Sequence, residues 1–372
     1  MRILYLFGNG FDLHVGLNTG YPDFLKYYLD QPYPSAISDI DKLCIKRLKD
    51  DINKKFNLWS QLELRFGQHM AQLGKTSSDV RRMQFEFDIV NDDIREKLSE
   101  YIAKQDKRSV FADNAKKQFL NDIVAPERHL RDFEKEQIEN NIKSIWLRTP
   151  NVIDIITFNY TRTIEHLIGQ PLVQTSSYEV HEPIHVHGYY DSRMVLGVND
   201  ASQIENDQLR RLTYVTNALV KPANNHTYGV AHTNKCSSLI NNAQLICCYG
   251  LSFGETDKIW WKKICDELLN RSDLYVIIYS YVDKMPNFAN NGHKLEYQMQ
   301  LAKDKLLSNT GLEEPLKSSI AQRIFVSIND SIFNIKVDDR TPEETLMGKS
   351  APNTLERLVE TIEAINLKDK NK

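Results

Sequence analysis

Several short stretches of the sequence bring glycine, amide, imidazole and hydroxyl groups together in patterns that can do chemistry. Gly8-Asn9-Gly10 follows the apolar run Ile3 to Phe7. Glycines at such a turn let the backbone approach a ligand closely, and a helix that begins there offers N–H groups to a phosphate. Leu13 stands where the usual dinucleotide fingerprint has its third glycine, so a tight strand-to-helix turn without a ligand is the alternative. Thr157-Phe158-Asn159-Tyr160-Thr161 closes a second apolar run. Asn159 cannot act as an acid or base, but its amide can hold a water and a sugar hydroxyl at once. A turn or helix cap is its plainer role.

His185-Val186-His187-Gly188 places two imidazoles on one face of an expected strand. Such a pair can bind a metal, but only His181 and Asp191 stand near as further ligands, so no metal is expected. A single His187 at the strand end suits a base toward a ribose hydroxyl, because a free imidazole titrates near ~6.5. A histidine with both nitrogens satisfied is the structural alternative. Gly250-Leu251-Ser252-Phe253-Gly254 matches the nucleophile elbow of serine hydrolases, with Asp283 and His293 following in suitable order. The same turn could instead offer the Ser252 hydroxyl to a phosphate or sugar. Asp23, in Tyr21-Pro22-Asp23-Phe24, either bonds sugar hydroxyls or caps the next helix. In Trp59-Ser60-Gln61-Leu62-Glu63, Trp59 and Leu62 read as core and Glu63 as a solvated charge, with the pocket as the other possibility.

The elements that must hold these groups follow from pattern. A buried run ending in a glycine turn reads as the first strand of a parallel sheet. Strand signals recur at 152–158, 184–187, 194–198, 244–249, 274–279 and 323–328, with helical stretches between several of them. The clearest of those helices is 259–269. Alternating strands and helices argue an α/β fold, a Rossmann-like, mostly parallel sheet covered on both faces. Residues 35–144 have dense charge and apolar positions at three and four spacing, as in Ile52, Phe56, Trp59, Leu62 and Phe66. They read as a large helical insertion, leaving 1–34 and 145–372 to the sheet domain. An amphipathic helix is expected at 355–367.

Composition narrows the class. The 372 residues are 41% hydrophobic, which suffices for a buried core and excludes disorder for most of the chain. Lys plus Arg number 47 against 50 Asp plus Glu, a net charge of -3, so no chain-wide nucleic-acid footprint is expected. The five cysteines contain no CxxC pair, which excludes a zinc ribbon or finger of that spacing and fits a reducing compartment. No apolar run reaches the roughly 20 residues that span a bilayer. The N-terminal apolar stretch is too short for a signal peptide, so a soluble, cytoplasmic protein is expected.

Taken in order, Gly8 to Asp12, Tyr21 to Phe24, Thr157 to Thr161, His187-Gly188 and Gly250 to Ser252 resemble the sirtuin-like superfamily. More closely the chain resembles the bacterial abortive-infection family AbiH, whose GNGFD start, W-S-x-L-E stretch, F-N-Y-T turn, H-x-H-G strand and late G-x-S-x-x-x-T-D segment are here Gly8 to Asp12, Trp59 to Glu63, Phe158 to Thr161, His185 to Gly188 and Gly250 to Trp261. The resemblance implies an anti-phage protein that binds NAD and hydrolyses it at the nicotinamide–ribose bond. Asn159 and His187 would carry the chemistry. Gly8, Asn9, Gly10, Phe11, Asp12, Asp23, Thr157, Gly250 and Ser252 would hold the dinucleotide. A small-molecule nucleotide is the implied partner, and a phage-derived or operon-encoded regulator and self-association are further possibilities. Thr161 stands where sirtuin deacylases have an aspartate, Asp12 where they have a serine, and Leu25 where they have an arginine. With the four-cysteine zinc module also missing, these departures argue against protein deacylation. A nucleotide-binding sensor without turnover and a serine hydrolase using Ser252 are the alternatives.

Overall fold

The computed structural model describes residues 1–338 apart from 36, 74–78, 147–149, 170–171, 173, 176, 229–230, 284–290 and 330. The helix expected at 355–367 falls outside the described residues. Seven strands are present among them: β1 (Arg2–Phe7), β2 (Asn151–Thr157), β3 (Tyr178–Val180), β4 (Ile184–His185), β5 (Leu245–Tyr249), β6 (Tyr275–Ser280) and β7 (Ile324–Ile328). They form one sheet in the order β3-β2-β1-β5-β6-β7, and β4 pairs with the C-terminal end of β2. Every strand pair is parallel.

The first half of the chain supplies α1 (Asn9–Val15), α2 (Tyr21–Asp30), α3 (Asp39–Lys54), α4 (Leu62–His69), α5 (Val80–Asp106), α6 (Asp113–Ile123), α7 (Asp132–Trp146) and α8 (Thr163–Ile168). The second half supplies α9 (Asp207–Arg210), α10 (Thr213–Leu219), α11 (Lys221–Thr227), α12 (Ala231–Asn242), α13 (Lys258–Asn270), α14 (Gly292–Ser308) and α15 (Glu314–Ala321). Residues Met1–Val337 form one compact unit.

β1 is apolar at successive positions because both of its faces are buried. Ile3, Tyr5 and Phe7 join Phe11 and Val15 of α1, Phe119 and Ile123 of α6 and Ile164 of α8 on one face. Leu4 and Leu6 join Cys236 of α12, the α13 residues Trp261, Ile264 and Leu268, and Leu306 of α14 on the other. A third apolar cluster gathers α2 to α5 with the segment 190–223, around Trp59, Phe66, Phe87 and Leu98. Side chains of the region 35–144 are therefore found in two places, packed among themselves and, through α6, on the sheet.

The strand expected at 194–198 is a buried loop instead. Val198 alone of these residues forms a backbone bridge, at Val220, and the carbonyls of Met194, Val195 and Leu196 are met by side chains, Val195 O by the Tyr160 hydroxyl at 2.9 Å. Arg95 of α5 donates to Met194 O at 3.0 Å, Leu196 O at 2.6 Å and Ala218 O at 2.8 Å. Gly197 is packed so tightly that a Cβ there would sit 1.9 Å from Leu219 O. An apolar run is common to buried strands and to loops whose backbone is satisfied this way. The short β3 carried no signal that the sequence pattern detected.

Arg95→Ala would leave Met194 O and Leu196 O without their donor, while Ala218 O would keep the Asn224 amide. It is expected to destabilise the fold by about 3 kcal/mol or more, read as a lowered urea midpoint. An unchanged midpoint would show that water replaces the guanidinium.

Candidate functional site

The site forms where the sheet order reverses. β1 lies between β2 and β5, and open α/β sheets bind ligands beyond the C-terminal ends of the strands at such a point. Three turns leave those ends: Gly8 to Gly10 after β1, Phe158 to Thr161 after β2, and Gly250 to Gly254 after β5.

The two glycine turns interlock by backbone. Gly8 N donates to Tyr249 O and Gly10 N to Gly250 O, both at 2.9 Å. A Cβ on Gly8 would sit 2.6 Å from Gly250 O, and one on Gly10 2.6 Å from Gly250 Cα. Gly250 has φ +67°, and a Cβ there would meet Phe11 N at 2.4 Å. These glycines are required by one another. The Gly10 amide, expected to be open to a phosphate, is taken by Gly250. Asn9 is likewise occupied, since its side chain bonds Thr19 O at 3.1 Å and Thr19 Oγ1 at 2.5 Å. Phe11, expected among the ligand contacts, is fully buried in the aromatic core 4.8 Å from the Phe7 ring.

Asp12 is buried on α1. Its Oδ2 accepts from Thr161 Oγ1 at 2.6 Å, and Thr163 Oγ1 donates to Thr161 Oγ1 at 3.0 Å. Its Oδ1 has no partner within the protein. Burial pushes the carboxyl pKa up to about 6, against the Thr161, Thr163 and Asn159 groups that lower it. Asn159 is held at both backbone ends. Its N–H donates to Thr157 Oγ1 at 3.2 Å, and its carbonyl accepts from His185 Nδ1 at 2.9 Å. Its carboxamide is buried near enough to Asp12 to lower that carboxyl's pKa, but neither its oxygen nor its nitrogen has a partner in full hydrogen-bond geometry.

The two imidazoles of the His-x-His stretch diverge, because β4 ends at His185 and His187 lies in the following turn. His185 is satisfied on both sides, by Asn159 O and by Glu165 Oε1 at 2.8 Å. His187 is satisfied on one. Its Nε2 lies 2.8 Å from Asp257 Oδ1, while Nδ1 is buried and unpaired. An ionised carboxylate only accepts, so Nε2 carries a proton toward it, and in the neutral ring the Nδ1 lone pair is left open. The ring stands 5.6 Å from that of Phe158, next to Asn159 in sequence. His181 and Asp191, the other residues of the metal reading, are engaged elsewhere with Asp154 and Arg162. Among the described residues no group of three or more His, Cys, Asp or Glu is arranged to hold a metal.

Behind His187 runs a buried chain of charge. Lys221 Nζ lies 3.1 Å from both Asp257 oxygens and 2.8 Å from Glu63 Oε2. Burial alone would lower the lysine pKa, but Asp257 and Glu63 outweigh it and raise it. Burial alone would raise Asp257, but Lys221 and His187 hold it well below the usual carboxylate range. Glu63, read from spacing as a solvated charge, is therefore a buried member of the site. Lys221 escaped sequence reasoning because its partners are 158 and 36 residues away. Asp257 stood in the late motif without an assigned role. A cavity of about 110 Å³ opens against His187, Lys221, Asp257, Asn199 and Trp260. Asn159 and Asp12 are not among its walls.

The remaining expected residues are peripheral. Asp23 lies in the first turn of α2, half-exposed, 3.8 Å from Lys26 and without a capping bond. Thr157 is buried and positions Asn159. Ser252 is exposed, and Phe253, not the serine, takes the left-handed φ of 53°. α13 starts only at Lys258, so the strand-serine-helix junction of a nucleophile elbow is not formed. His293 and Asp283 are exposed and make no recorded bond to Ser252.

Residues 4–279 match the family described as bacteriophage abortive infection AbiH. The chain belongs to the AbiH family. Membership points to a role in phage abortive infection. Among curated proteins none matches the chain. Asp12, Glu63, Asn159, His187, Lys221 and Asp257 all fall within the AbiH match. No described helix is long and apolar enough to cross a membrane.

Lys221→Met would leave Glu63 and Asp257 as buried carboxylates with no cation between them. A loss of roughly 3–5 kcal/mol in unfolding free energy is expected. Glu63→Gln in the same chain should return part of it, so a urea double-mutant cycle reads a large coupling. Additive losses would refute the charge chain.

Proposed function

We propose that this AbiH-family protein acts in abortive infection by binding NAD and hydrolysing its nicotinamide–ribose bond. One observation carries the reading: Asp12 Oδ1, Asn159 Oδ1, Asn159 Nδ2 and His187 Nδ1 are buried and unpaired where β1, β2 and β4 end. Buried polar atoms are nearly always bonded, so four left open in one region call for a ligand rich in hydroxyl groups. A ribose has that chemistry. The strand order, with the short β4 set aside, fits a Rossmann-like sheet, whose ligands are nucleotides. The resemblance to sirtuin-like enzymes points the same way. Sirtuin deacylases carry a serine where this chain has Asp12 and an aspartate where it has Thr161; here the two side chains are in contact at 2.6 Å.

The chemistry asks little of a general acid, because nicotinamide is already a cationic leaving group. The demand is to orient a water and support positive charge on the ribose. Asn159 would hold the water and a ribose hydroxyl through its open amide. His187 would accept a ribose hydroxyl at Nδ1, with Asp257 keeping the proton on Nε2. The glycine turns shape the floor by their mutual packing, while their occupied amides leave the pyrophosphate to other donors. At about 110 Å³, the cavity beside His187 falls short of the roughly 300–1,000 Å³ of whole-ligand sites, so it would take one end of the dinucleotide.

Asn159→Ala should abolish cleavage of an etheno-NAD analogue while the thermal midpoint stays at the wild-type value. Near-normal hydrolysis by the variant would remove the proposal. Tight NAD binding by the wild type without hydrolysis would favour a sensor instead. A fluorophosphonate probe is expected to leave Ser252 unlabelled, and labelling lost in Ser252→Ala would revive the hydrolase reading.

A further inference from the structure

We infer that Asp12 is the general base of the reaction, taking the proton of the attacking water through its open Oδ1, with Thr161 and Thr163 as the residues that aim it. The inference rests on the NAD-hydrolysing reading and adds a residue to it. Asp12 is 1% exposed, yet only one of its two oxygens is bonded. Desolvating a carboxyl oxygen without a partner is costly, and here the open oxygen lies beside an amide that is open as well. The bonded oxygen is fixed by two hydroxyls in series, Thr163 to Thr161 to Oδ2, at 3.0 and 2.6 Å. That chain holds the carboxyl plane and leaves Oδ1 free. Beside it stands the Asn159 carboxamide, also unpaired. One water bonded to both groups would satisfy them, and a water needs two to four such partners to be held.

The groups facing Asp12 are few. The turn after β2 contributes Asn159 and Thr161, α8 contributes Thr163, and the end of α5 contributes Asp106. Asp106 is the charged one. Its Oδ1 accepts from Arg162 N at 2.6 Å, and its charge raises the pKa of Asp12 further. Burial dominates, so the carboxyl pKa is pushed up to about 6, where a base is both ionised and able to hold a proton.

The step balances with water as the only co-reactant. As the water oxygen bonds to the ribose carbon, the bond from that carbon to the nicotinamide nitrogen breaks. Its electron pair goes to the pyridinium ring, which leaves neutral. The water proton passes to Asp12 Oδ1 and then to solvent. His187 and Asp12 divide the work, one on a ribose hydroxyl and one on the water.

The test is NAD hydrolysis as a function of pH, with NAD affinity measured separately by calorimetry. Wild-type kcat should climb as pH rises through about 6 and then level off. Asp12→Asn should lower kcat by about 100-fold or more and abolish the rise across that range, whatever it does to NAD affinity. Thr161→Val keeps the carboxyl but removes a bond that lowers its pKa, so its rising limb should move to higher pH. That shift decides the matter should Asp12→Asn not fold. Asp12→Asn hydrolysing NAD at the wild-type rate, or a Thr161→Val limb that stays in place, would overturn the assignment alone. A wild-type chain that leaves NAD intact would overturn the NAD reading and this assignment with it.

Discussion

A single buried ammonium joins the parts of this molecule that matter to its site. Lys221 opens α11, Glu63 lies in the first turn of α4, and Asp257 immediately precedes α13. All three meet within 3.1 Å. Two carboxylates this close, away from water, repel strongly unless a cation stands between them. The lysine therefore sets where α4 can sit relative to the turn that carries Asp257. Asp257 in turn fixes which nitrogen of His187 holds the proton. An element far from the sheet thus reaches the imidazole through two ion pairs, and a helical region that looked like decoration becomes part of the site.

The sheet supplies the other half of the constraint. β1 has β2 on one side and β5 on the other, and the turns leaving all three converge. The closeness of the first and last of these turns is set by glycine, since any side chain at Gly8, Gly10 or Gly250 would overlap backbone of the opposite turn. The sequence pattern suggested glycines for a ligand. The structure assigns them first to each other, and that contact is what brings α1, and with it Asp12, beside the turn after β2.

What was legible in the sequence was local. Buried strands announce themselves by continuous apolar runs, and the turns that follow carry their glycines and amides in order, so Asn159 and His187 could be named from position. His185 Nδ1 bonds Asn159 O and the Phe158 ring contacts that of His187, so the turn after β2 packs against the turn after β4. What was not legible depends on partners distant in number. Glu63 fits a solvated helix face by spacing, and only the arrival of Lys221 buries it. Residues 194–198 fit a strand by hydrophobicity, and only the guanidinium of Arg95 lets them be a loop. Neither fact is encoded within any window short enough to show a period.

The difference between a structural and a working polar group here is how many of its atoms are used. His185 and His187 are two residues apart and both almost wholly buried. The first has a partner on each nitrogen, so it can neither give nor take a proton without breaking a bond it needs. The second has one partner, a carboxylate that dictates its tautomer, and one lone pair left over. Asp12 repeats the pattern, one oxygen held by Thr161 and one open. Asn159 carries it furthest, with its backbone pinned at both ends and its whole amide free. In each case the fold fixes the orientation of the group through one set of atoms and leaves another set unsatisfied. Unpaired groups at this depth destabilise the free protein. A ligand that pairs with all of them would recover that loss, so a site of this kind is pre-organised before its ligand arrives.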